Sequence, residues 1–231
     1  MVGWAAVAAV VLAGTGAQAA KAPCPHPYFP MAEGTVLTYR AGKSEVKVRM
    51  TDVRKDGDKL LATLNLQHKG QNGKTNVFCA EDGITTELGG LEAAALRMSG
   101  MDVRVLSSEG VAIPPLALLK EGHTWRNEVA LELKPPEGSK VPFGAIKSTF
   151  RKDALIEGTE EITVAGRTFK ALRVKNTVTA MAGTSGERTM VSMMWLAPEV
   201  GILRIQTGDN VDFELLDIQQ AKDAAPAGAQ K

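Results

Sequence analysis

The sequence has almost no charge imbalance: 27 Lys and Arg against 26 Asp and Glu leave a formal +1. A chain so balanced has no global field to hold a polyanion, so nucleic acid is not an expected partner. Histidine is scarce, and His26, His68 and His123 each stand without a carboxylate or cysteine at ligand spacing. No metal, no cofactor and no catalytic constellation is therefore expected. Cysteine is limited to Cys24 and Cys79, too far apart for the C-x-x-C spacing of zinc or redox motifs. Long apolar runs are missing too. The longest, Val2 to Ala13, falls short of the ~20 residues of a membrane helix, so no membrane span is expected in the mature chain.

What is present starts with an export signal. The uncharged run Val2 to Ala13 leads into small residues ending in Ala17-Gln18-Ala19, an A-x-A cleavage pattern. Residues 1–19 are read as the signal peptide and 20–218 as a β-rich domain in the periplasm or outside the cell. In an oxidising compartment Cys24 and Cys79 are expected to pair, although two separate thiols or metal ligands remain the alternative.

From Tyr28 onward the hydropathy period is two. Val46, Val48 and Met50 alternate with Lys47, Arg49 and Thr51; Leu60, Ala62, Leu64 and Leu66 alternate with Thr63, Asn65 and Gln67. Each run gives a strand with one face to a core and one to water. Asp56-Gly57 between them suits the positive φ of a hairpin turn. Further runs at 75–79, 84–88, 125–133, 146–156, 161–164, 169–180, 189–196, 202–207 and 211–218 are bounded by Gly, Pro, Asn or Asp. The expectation is an all-β, antiparallel fold: a strongly curved sheet, a half-open barrel or a two-layer sandwich. Gly70-Gln71-Asn72-Gly73-Lys74-Thr75 ends like a phosphate loop but has His68 where its first glycine belongs, so Asn72-Gly73 is expected as a hairpin turn. Ser185 lacks the spacing of a nucleophile elbow and is expected in a loop.

Leu91 to Met101 breaks the period. Its alanines and leucines favour one short helix with an apolar stripe through Leu91, Ala95 and Met98. That stripe, with Val111, Ile113, Leu116, Leu118 and Leu119, is too apolar to lie free, and could cover the sheet against Trp125, Phe150 and Trp195. Leu91, Ala95, Met98, Trp125, Phe150 and Trp195 are thus the candidate apolar pocket, unless the same residues simply fill the core. The six methionines at 98, 101, 181, 190, 193 and 194 are read as core filling in preference to a soft copper site. Residues 219–231 are too polar and too rich in Ala, Gly, Pro and Gln to bury a face and are read as a disordered tail.

Two short similarities suggest halves at 28–90 and 113–218. Glu33-Gly34 and Glu121-Gly122 each lead into a strand carrying an aromatic followed by Arg, Tyr39-Arg40 and Trp125-Arg126. Gly83-Ile84 and Gly201-Ile202 each open a strand after an aromatic and a turn. Duplication of a β-meander and convergence on common turn chemistry both account for this.

Cys24-Pro25-His26-Pro27-Tyr28-Phe29-Pro30, Leu119-Lys120-Glu121-Gly122-His123-Thr124-Trp125, Val164-Ala165-Gly166-Arg167-Thr168-Phe169 and Trp195-Leu196-Ala197-Pro198-Glu199-Val200-Gly201 resemble the TapB-like group of uncharacterised exported bacterial proteins. The chain departs from that group at Leu37 and Leu196. The resemblance implies an extracytoplasmic β-rich domain and no catalytic residue. Taken together, the sequence indicates a non-catalytic binding or structural module whose partner is a protein or an apolar small molecule. The alternative is a periplasmic carrier of a lipid in a half-open barrel.

Overall fold

The structure, a computed structural model, describes residues 26–88, 101–136, 144–182 and 186–220. Twelve antiparallel strands make up nearly all of it: β1 (Val36–Ala41), β2 (Ser44–Asp56), β3 (Lys59–His68), β4 (Gln71–Ala80), β5 (Gly83–Thr86), β6 (Asp102–Gly110), β7 (Thr124–Lys134), β8 (Ile146–Val164), β9 (Arg167–Ala182), β10 (Glu187–Ala197), β11 (Gly201–Thr207) and β12 (Asn210–Gln219). They form one sheet in the order β5-β4-β3-β2-β1-β12-β11-β10-β9-β8-β7-β6. Each strand therefore lies beside its sequence neighbour, β1 closes on β12, and the seam falls between β5 and β6. A bridge from Ile84 to Ile113, on the segment after β6, ties that seam. The result is a nearly closed barrel, which decides between the curved sheet and the sandwich.

Period two explains the barrel directly. Val46, Val48, Met50, Leu64 and Leu66 are buried inside, while Glu45, Lys47 and Arg49 are exposed outside. That is the reverse of a membrane barrel, whose apolar band faces outward. No helix among the described residues is long and apolar enough to cross a membrane.

Three expectations are corrected. Asn72-Gly73 is not a turn: both residues lie in β4, opposite Gln67 and Leu66. The turn is Lys69-Gly70, with φ of 48° and 78°. It wins because it sets Leu64 against Thr75, Ala62 against Val77 and Leu60 against Cys79; a turn at 72–73 would slide these inward residues past the charged 81–82 end. Residues 146–156 and 161–164 are one 19-residue strand, interrupted by a bulge between Ile156 and Gly158. Residues 102–110 form β6, a strand not expected because its outer half is polar, yet β7 supplies its register from Asp102 through Gly110. The expected helix at Leu91–Met101 falls, except for Met101, outside the described residues, as do residues 1–25, Ser185 and the tail from 221; Gln219 itself ends β12 opposite Val36.

Two connecting segments cross the barrel ends. Residues 26–35 lead into β1 and residues 111–123 into β7, and they enter alike. Gly34 N donates to Met50 O and Met50 N to Thr35 O; Gly122 N donates to Ile156 O and Ile156 N to His123 O. Each pair sits just before a bulge, at Thr51/Arg54 in β2 and at Ile156/Gly158 in β8. Glu33 accepts a bond from Val53 N at 2.7 Å inside the first bulge, and Glu121 lies against Gly158 at the second. Around the ring β1 and β7 are six strands apart, as are the two Gly-Ile strands β5 and β11. Each Gly-Ile start meets the opposite segment: Gly83 so closely that a Cβ would lie 2.3 Å from Ile113 O, Gly201 beside Tyr28 O.

Candidate functional site

The interior is unevenly filled. Around β8 to β11, Ala154, Ile156, Leu172, Val174, Met194, Leu196 and Ile202 pack into a cluster that Tyr28, Leu119 and Trp125 complete. On the side of β1 to β3 the barrel holds a cavity of about 840 Å³, within the ~300–1,000 Å³ of small-molecule sites.

Its wall follows from the alternation already described. Leu37, Tyr39 and Ala41 of β1, Val46, Val48 and Met50 of β2, and Leu64 and Leu66 of β3 face it from one side. Val178, Met190, Ser192, Ile202, Ile205 and Phe213 face it from the other. Tyr39 is held rigidly. Its ring stacks on Phe213 with centroids 4.2 Å apart, and its hydroxyl donates to Ile202 O at 3.0 Å. Burial pushes this phenol well above the ordinary tyrosine range, so it stays protonated. The floor is Phe29, Pro30 and Val200, where the N-terminal segment crosses. Below it a smaller space of about 250 Å³ shares Pro30, Leu37, Val48, Met50, Leu64 and Val200 as a partition.

The mouth lies at the opposite end, where the β1–β2, β3–β4 and β11–β12 hairpins turn. Lys43 and Ser44, then His68, Lys69 and Gln71, line one side; Thr207, Asn210 and Asp212 line the other. Asp212 reaches the lining because the β11–β12 register slips between Ile205 and Gln206, whose partners are Phe213 and Val211, leaving Asp212 as the extra residue. Met190, half exposed at the rim, and exposed Val211 add apolar surface there. The site is thus an apolar tube with one closed end and one polar, open end. Such a shape takes up apolar surface and leaves a polar group at the water boundary.

Of the residues singled out in the sequence, Trp125, Phe150 and Trp195 do not line this cavity. Leu91, Ala95 and Met98 fall outside the described residues. Trp125 is half-buried, donating from Nε1 to Ala112 O at 3.2 Å, and borders a shallow depression with Arg126, Asp153 and Lys175. Phe150 packs on the larger core cluster, and Trp195 is buried with its Nε1 bonded to Glu160. The structure does not gather these three around the cavity. Of the expected covering segment, Ile113 is buried, whereas Leu116 and Leu118 are 53% and 40% exposed. Of the methionines, Met194 is core, Met190 is on the rim and Met181 is exposed. The three histidines are dispersed: His26 in the N-terminal segment, His68 at the mouth and His123 beside Trp125. Among the described residues no three His, Cys, Asp or Glu side chains group as metal ligands. The lining residues of β1 to β3 were legible as inward-facing; nothing in a linear pattern marks the space between them as empty.

Fold and cavity together define an up-and-down antiparallel barrel with an apolar interior chamber. No family model and no curated protein sequence matches the chain. Among solved structures it is similar to a Bacteroides fragilis protein inferred to be exported, with a YmcC-like fold: TM-score 0.60 and 16% identity, covering 83% of this chain and 98% of that one. A Parabacteroides distasonis protein inferred to be a lipoprotein aligns at TM-score 0.48 and 16% identity, covering 83% and 98%. The hypothetical lipoprotein YmcC of Escherichia coli aligns at 0.41 and 12%, covering 82% and 90%. The Bacteroides likeness is one of fold.

Proposed function

We propose that the protein is an exported, non-catalytic binding module that carries the apolar part of a small molecule inside its barrel. The observation that carries this reading is the cavity of about 840 Å³, closed by Phe29, Pro30 and Val200 and open at the hairpin end. A structural module would have no use for a chamber bordered by Val46, Val48, Leu64 and Leu66, because unfilled apolar space weakens a core. Export, residence in the periplasm or beyond it, and kinship with the TapB-like group belong to the same proposal. They are supported by the leader-like residues 1–19 and by a fold shared with a protein inferred to be exported.

A Cys24–Cys79 bond is also proposed. Cys79 is fully buried in β4, and no cysteine among the described residues is a free thiol; Cys24 lies outside those residues. What supports the pairing is a short chain of contacts. Cys79 lies opposite Ile84, Ile84 bridges Ile113, and the next carbonyl, Pro114 O, bonds the ring of His26.

Titration of the mature protein with a fluorescent fatty acid tests the reading. Saturable binding at one site per chain is expected, and Ala41→Trp, which obstructs the chamber next to its mouth, should weaken it at least tenfold while the far-ultraviolet circular dichroism stays that of a folded protein. Absence of saturable binding by folded wild type would leave only a structural role.

A further inference from the structure

We infer that the ligand is an amphiphile with an anionic head group, seated by Lys43 and Lys69 at the cavity mouth. This deepens the cavity reading and rests on it. The tube is asymmetric: its floor and wall are apolar, so a chain entering tail first ends with its polar group among the hairpin turns. Two of those turns place an ammonium there. Lys43 follows Gly42 in the β1–β2 turn, and Lys69 occupies the left-handed position of the β3–β4 turn, beside inward-facing His68. Both lysines are exposed, and among the described residues neither is engaged in an ion pair or hydrogen bond. Across the mouth stands a single lining carboxylate, Asp212. Among the residues that line the mouth two cations face one carboxylate, in a chain whose overall charge is only +1, while Asp209 in the β11–β12 turn stands outside that lining.

The alternative head groups fit less well. A neutral one would gain no charge-assisted bond from either ammonium group beyond what water already supplies. A cationic one would meet two like charges and one opposite. A carboxylate and a phosphate share the required chemistry, since either accepts charge-assisted hydrogen bonds from a lysine. Exposed lysines at a rim suit a ligand that must enter and leave, because their attraction orients a head group yet is screened by solvent.

The test compares laurate, dodecyl phosphate and 1-dodecanol as competitors of the fluorescent fatty acid, on the full mature chain and below their micelle concentrations. Laurate, dodecyl phosphate or both are expected to bind about tenfold tighter than the alcohol at low salt, and which of them does so identifies the head group. The Lys43→Gln, Lys69→Asn double variant, in which asparagine tolerates the left-handed turn, should bring all three to within about threefold of one another. Asp212→Asn should tighten the anions and leave the alcohol unchanged. If the alcohol competes as well as both anions on wild type, the head-group inference is overturned while the cavity reading stands. Failure of all three to compete overturns both.

Discussion

At the residue scale, Tyr39 shows how a single side chain can serve both wall and frame. Its hydroxyl is the donor that satisfies Ile202 O, 163 residues away in sequence, and its ring is pinned by Phe213. Tyr39→Phe keeps the stack but leaves that carbonyl unpaired in a dry wall, so a loss of about 1–3 kcal/mol is expected in urea unfolding. A variant as stable as wild type would show that the bond contributes nothing. His26 makes a second residue-scale case. A carbonyl can only accept, so Nε2 carries the proton that goes to Pro114 O at 3.0 Å, and Nδ1 is left buried without a partner among the described residues. Burial lowers the pKa of this ring from 6.5, outweighing the opposing effect of the backbone bond. With the folded value below the unfolded one, the unfolded chain binds the proton first as pH falls. Stability is therefore full above about 6.5, the unfolded pKa, and declines below it toward the folded pKa. Denaturant midpoints at pH 7.5 and 5.0 should differ by a component that His26→Gln removes; an unchanged pH dependence in the variant would assign the decline to other groups.

At the element scale, the N-terminal segment is what closes the chamber. It contributes Phe29 and Pro30 to the floor, and Glu199 N holds it through Pro27 O at 2.7 Å. A bond from Cys24 to Cys79 would fix its start to β4, closing a loop of 79 − 24 = 55 residues, worth ~4 kcal/mol on the chain-entropy view. Mass spectrometry of the unreduced mature protein should show no thiol available to alkylation, and Cys24→Ala, Cys79→Ala should lower stability by about 2–5 kcal/mol. Two alkylated cysteines in protein purified without reductant would rule the bond out. The turns teach a related lesson. Asn72-Gly73 has the better local chemistry for a hairpin, yet Lys69-Gly70 turns, because the register of four inward residues on β3 outweighs the preference of two.

At the scale of the whole molecule, the two similar halves of the ring have different fates. Leu37, beside Tyr39 on the cavity wall, and Trp125 occupy corresponding places, each three residues after the glycine of a Glu-Gly turn with the same pair of backbone bonds. Around Trp125, the segment residues Tyr28 and Leu119 complete a packed cluster. Around Tyr39 the space is open. If a ligand occupies that space, it stabilises the folded state alone, so the thermal midpoint should rise with ligand concentration; at a free concentration of 100 times Kd the gain is about 2.7 kcal/mol. A midpoint indifferent to a ligand that demonstrably binds would mean that it binds the unfolded chain equally.

Alternation by itself determined the fold class, the strands from Val46 to Leu66 and the inward identity of Val46, Val48, Met50, Ala62, Leu64 and Leu66, because period two is a local property that survives any closure of the sheet; the turn between them fell one residue later than Asp56-Gly57, at Gly57-Asp58, since Asp56 pairs with Lys59. The paired Glu-Gly and Gly-Ile signals were legible for the same reason: the first is a turn and the second opens a strand directly after one. Tertiary structure alone decided the rest. Whether the sheet closed as a barrel or folded as a sandwich depended on β1 meeting β12, 180 or so residues apart. The strand β6 depended on a partner, and the joining of residues 146–164 on a bulge that β9 accommodates. The chamber is the least local feature of all. A sequence states which side chains turn inward, but their summed volume is compared with the space enclosed only when distant strands close the ring, and on the β1 to β3 side that space is the larger.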